Sequence, residues 1–139
     1  MSNGLKEYKK MYKKHHKELI KLAKESEDWD WYYLHILVIT KIRHMYEYYS
    51  AGNNVWQTDE TLQPIISQLK HILDLQDELD HLHDKPIDGI QYGFVAKGVT
   101  NVSASDEALK EIEDREKRKV KLYEEIYNYI GQHLLEWWD

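Results

Sequence analysis

The chain contains no cysteine, two prolines and a single phenylalanine among 139 residues. Without thiols, cysteine nucleophiles, thiolate zinc sites and disulfides are excluded, and a reducing compartment is compatible with that absence. Long apolar runs are missing too: no segment approaches the roughly 20 apolar residues of a membrane-spanning helix. The opening MSNGLKEYKK lacks the apolar stretch and cleavage site of a secretory signal. A cytoplasmic protein without membrane association is therefore expected. Phosphate-loop, dinucleotide, nucleophile-elbow and HExxH patterns are absent as well.

What is present is aromatic and charged. Eleven tyrosines, five tryptophans and eight histidines accompany a formal net charge of −6. That value hides an asymmetry: through Lys24 the chain carries eight lysines against Glu7 and Glu18, a net of +6, which leaves −12 for the remainder. The basic first segment suits an acidic face of the same fold or of a second subunit, ahead of nucleic acid, because it has no arginine to read bases bidentately. Lys13 and Lys17 are its candidate binding residues.

Periodicity gives an all-α fold, four-helix bundle-like, in one domain over 1–139, with helices near 5–25, 30–50, 59–83 and 105–138 and a long crossover loop before the last. In the first helix Leu5, Tyr8, Tyr12, His15, Leu19 and Leu22 form a narrow stripe, and His15 within it is read as packing or bonding across a helix contact. SEDWDW offers several caps for the second helix. There Trp31, Leu34, His35, Val38, Ile42, Met45 and Tyr49 converge on one face, other apolar residues cover much of the rest, and Thr40, Arg43, His44 and Glu47 leave a polar strip. So thorough a covering predicts a central beam. The third helix presents Leu62, Ile65, Ile66, Leu69, Ile72, Leu73 and Leu79, with Gln76 interrupting them. DKPIDGIQYGFVAKGVTNVSAS carries three of the six glycines and is the crossover loop, with room for a short hairpin around Ile90 to Val95. Ser103 with Asp106 reads as a capping pair, and Val120, Tyr123, Tyr127, Ile130, Leu134 and Trp137 as the packing repeat of the last helix.

Two kinds of site compete. His71, Asp74, Glu78 and His81 recur at three- and four-residue steps, a spacing suited to magnesium, manganese or zinc. They point away from the apolar face, which favours a solvated, salt-bridged surface. The enzyme alternative is a divalent-metal-dependent nucleotide phosphohydrolase using Mg or Mn, although the paired ExxE and ExxD helices of small helical pyrophosphatases are not reproduced. Trp31, Trp137 and Trp138 are the candidate anchors of a binding surface, since tryptophan buries large rigid area at modest entropic cost.

The acidic-aromatic Asp28, Trp29, Asp30 and Trp31, the later Met45 and Tyr46, and the closing Trp137, Trp138 and Asp139 together resemble small uncharacterised helical proteins encoded by tailed bacteriophages. That resemblance implies a phage accessory protein acting in the cytoplasm of an infected bacterium and supplies no catalytic residue; no cofactor is expected. Combined with the residue reading, the expectation is a non-enzymatic protein that binds or sequesters a host protein or a small anionic ligand. Homo-oligomerisation is expected alongside it.

Overall fold

The computed structural model describes residues 3–52, 58–95 and 98–137. Its elements are four long helices, α1 (Asn3–Glu25), α2 (Trp31–Ser50), α3 (Asp59–Asp84) and α4 (Asp106–His133), with strands β1 (Ile90–Val95) and β2 (Gly98–Ala104) between α3 and α4. A single 3₁₀ turn, Leu134–Glu136, follows α4. The fold class is all-α and bundle-like, as the periodicity predicts, and three helices fall within two residues of their expected ends. The last helix is shorter than expected, because the chain tightens into the 3₁₀ turn instead of continuing to 138. Among the described residues no helix is long and apolar enough to cross a membrane.

The chain forms two compact units, one comprising Met1–Asp74 with Tyr129–Asp139 and the other Leu75–Asn128. In the first unit, Asp30 begins α2: its backbone is extended and its carboxylate accepts the Tyr32 amide at 2.9 Å. A carboxylate at this end also meets the positive pole of the helix. Two opposite sides of α2 are buried. His35, Ile42 and Tyr49 lie at seven-residue steps on one, while Thr40 and His44 lie on the other, His44 about 180° round from His35 at 100° per residue. Burial on both sides is what the beam reading requires. The expected single face is corrected at its start, where Trp31 and Leu34 are each 63% exposed; Trp31 belongs to the first turn, where the buried row runs out. The polar strip is corrected as well, since its Thr40 and His44 face inward.

From α3 the first unit takes Leu62, Ile65, Leu69 and Ile72, all buried, with Leu69 and Ile72 fully so. Each such side chain contributes roughly 1.5–3 kcal/mol of transfer free energy. Pro64 is accommodated on the exposed side of the early helix. Trp137 is buried as well, and its indole N–H donates to Gln68 Oε1 at 2.8 Å.

In the second unit the crossover segment is an antiparallel hairpin, pairing Ile90 with Ala104 at its open end and Val95 with Gly98 at its tip, with a register irregularity at Gly93/Phe94. Gly89 closes it with φ +85°, a left-handed conformation, and a Cβ there would stand 2.5 Å from Ser105 Oγ. Both conditions demand glycine. The Ser105 amide donates to the Gly89 carbonyl, and Ser105 Oγ accepts the Ala108 amide at 3.1 Å. Ser105 is thus the cap of α4; the expected Ser103 lies instead within β2.

Along α4 the buried residues are Ala108, Arg115, Leu122 and Ile126, while Val120, Tyr127 and Leu134 of the expected repeat are exposed. The true row keeps strict three- and four-residue steps through Ala108, Ile112, Arg115, Lys119, Leu122, Ile126, Tyr129 and His133, all buried or half-buried. Two cations sit within it. Arg115 is admitted because its guanidinium donates to the Leu82 and Lys85 carbonyls at the end of α3 and to Glu111. An apolar count skips such a position, which moved the expected stripe one step aside.

Candidate functional site

The polar strip of α2 and the narrow stripe of α1 meet in one cluster. From α1, the His15 ring lies flat on that of His44 from α2, with centroids 3.8 Å apart and planes 9° from parallel. Each imidazole is held by a carboxylate of the opposite helix: His15 Nε2 donates to Glu47 Oε2 at 2.6 Å and His44 Nε2 to Glu18 Oε1 at 2.7 Å. Arg43 joins the two acids, donating to Glu18 and, at 3.0 Å, to Glu47 Oε1. Residues 43, 44 and 47 share one helical face, and 15 and 18 share another, so the spacing of both helices builds the cluster.

Protonation follows from this geometry. Burial opposes ionisation of Glu18, but its hydrogen bonds from His44 and Arg43 outweigh that and hold the carboxyl below its ordinary range. Glu47 is held low in the same way by His15 and Arg43. Burial also pushes the His44 imidazole below its ordinary value, aided by His15 and opposed by Glu18. Two charged rings about 4 Å apart would repel by roughly 4 kcal/mol near a protein surface, which works in the same direction. An ionised Glu18 only accepts, so the proton of neutral His44 sits on Nε2 and leaves Nδ1 with a bare lone pair. That Nδ1 is buried, on a side chain 2% exposed, and no described group bonds it.

Beside the cluster lies a half-open cleft of about 220 Å³ lined by Tyr8, Met11, Tyr12, His15, His16, Leu19, Lys41, His44, Met45, Tyr48 and Tyr49. Tyr8 meets Tyr48 edge-on at 5.7 Å, and Tyr12 packs on His16 with centroids 3.9 Å apart. The lining is therefore mostly aromatic rings and thioethers, joined by the exposed Lys41 and the buried His44. Such a surface takes flat apolar groups by stacking and sulfur contact.

The sequence-derived candidates are placed elsewhere. His71, Asp74, Glu78 and His81 are all exposed along α3. Asp74 pairs with Lys70 at 3.0 Å, Glu78 is bonded by Arg118, and His81 Nδ1 donates to the carbonyl of Asp77 at 2.7 Å. His71 lies against the Tyr129 ring. Among the described residues no group of three or more His, Asp or Glu side chains is arranged to hold a metal ion. Lys13 and Lys17 are exposed, Trp31 is largely exposed, Trp137 is spent in the core of its own unit, and Trp138 lies outside the described residues.

Of the cluster, only His15 was marked by its position in the α1 stripe as reaching across a helix contact. The signal for the rest was a polar strip at 40, 43, 44 and 47 on an otherwise apolar helix. Compared with known proteins, the chain matches no family model, no curated protein and no solved structure.

Proposed function

We propose that this protein is a binding protein whose ligand occupies the α1–α2 cleft, and that it acts by sequestering that ligand. The observation that carries the reading is that His44, one of the residues lining an aromatic cleft, keeps a buried Nδ1 with no partner among the described residues. Leaving a buried acceptor unbonded costs about 1–3 kcal/mol, a cost that a bound donor group removes. The ligand that fits is flat, presents an N–H or O–H to His44, stacks between tyrosines, and carries an acidic substituent toward Lys41. This agrees with the small anionic ligand expected from the sequence.

Titration of the ¹⁵N-labelled protein with adenosine monophosphate and with indole-3-acetate, both flat donors with an acidic group, tests it. Binding shifts the His44 Nδ1 resonance, and Lys41→Glu weakens binding while leaving the rest of the spectrum in place. If neither probe moves the His44 signal at millimolar concentration, the cleft is not a site for this class and the reading falls.

A further inference from the structure

A second feature of the same unit lies away from the cleft. The C-terminal half of α1 presents Lys14, Lys17, Lys21 and Lys24 around Ile20, which is 56% exposed, and these residues line a shallow groove with Glu18. Immediately after it, the turn into α2 presents Glu27, Asp28 and Asp30 around Trp29, Trp31 and Leu34, which are 82%, 63% and 63% exposed and border a second groove. Among the described residues, none of the four lysines, nor Glu27 or Asp28, forms an ion pair. One surface is basic with an apolar centre; the next is acidic with a larger apolar centre.

We infer that these two adjoining surfaces are the halves of a self-complementary interface, and that the partner covering them is a second copy of this chain. A two-fold axis near the α1–α2 turn sets the basic groove of one copy against the acidic tryptophan groove of the other, and the same contact is made twice. A single partner species then neutralises both unpaired sets of charge and covers the exposed Ile20, Trp29, Trp31 and Leu34. A purely acidic partner, such as nucleic acid, would satisfy the lysines and leave the tryptophans uncovered beside its own like charge. The inference does not depend on the cleft, which is lined by other residues.

Two charge-reversed variants decide the matter, with mass in solution followed by light scattering at low and at high salt. Lys17→Glu with Lys21→Glu makes both surfaces acidic; Glu27→Lys with Asp28→Lys makes both basic. Asp30 is left intact because it caps α2. The wild type is expected at twice the chain mass in low salt, falling toward once the mass as salt shortens the screening length from about 10 Å at 0.1 M to about 3 Å at 1 M. Each variant alone is expected to be monomeric with an unchanged circular dichroism spectrum. Mixed, the two are expected to pair, since acid again meets base at both contacts. A wild type monomeric at low salt, variants that still self-associate, or a mixture that stays monomeric would each overturn the inference. Salt-sensitive retention of a monomeric wild type by double-stranded DNA would assign the lysines to nucleic acid instead.

Discussion

Replacing Arg115 by methionine tests whether a cation in the packing row of α4 holds the end of α3. The residue is 8% exposed, and its guanidinium donates to the Leu82 carbonyl at 3.0 Å, to the Lys85 carbonyl, and to Glu111 Oε1 at 3.1 Å. Methionine keeps most of the volume and removes every donor. A carbonyl left unbonded away from water costs about 1–3 kcal/mol. Leu82 is half-buried and bears that cost, whereas Lys85 is exposed and its carbonyl regains water. Glu111 is 47% exposed, so loss of its pair contributes little. The expected destabilisation is therefore about 1–3 kcal/mol, read as a lower urea midpoint with an unchanged slope. Arg115→Lys, which keeps the charge without the planar fork, should fall between. A shift below about 0.5 kcal/mol for methionine, the range of ordinary surface changes, would refute the role assigned to Arg115.

The histidine cluster predicts acid sensitivity. His44 has a lower pKa folded than unfolded, so its contribution is complete above the unfolded value of about 6.5 and is lost as pH falls toward the folded one. One such proton changes stability by at most about 1.4 kcal/mol per pH unit. His44→Gln, which can still donate to Glu18, should flatten this first loss and keep the later one, below about pH 4.3, where Glu18 and Glu47 take up protons. Urea midpoints measured from about pH 7.5 to about 3 check it, and identical profiles for the two proteins would remove His44 as the cause. Gly89→Ala meets both a left-handed backbone and Ser105 Oγ, so it should cost about 1–3 kcal/mol and speed exchange of the capped Ala108 amide. An unchanged melting temperature would show that the hairpin closes without glycine there.

The helices are legible in the local sequence. Their apolar periods and a cap within SEDWDW are local properties that mark where each helix lies, although which residue caps α2 was settled only by the fold, at Asp30. The sequence also determined the row Leu62, Ile65, Leu69 and Ile72, because a row made only of aliphatic side chains has one way to face. Burial of His35 follows from its place in the apolar period of α2, but burial of Thr40, His44 and Arg115 arises only in the tertiary structure. Arg115 enters the α4 row only because α3 ends beside it with unbonded carbonyls. The strip of Thr40, Arg43, His44 and Glu47 looks solvated on one helix, and turns inward because Glu18 and His15 stand opposite. Ser105 rather than Ser103 caps α4 because the hairpin pairs Gln91 with Ser103 and brings Gly89 to Ser105. Desolvating a polar side chain is unfavourable until its partner is in place, and partners distant in sequence have no local signature. For that reason the helices were legible beforehand, and the His15–His44 cluster with its cleft was not.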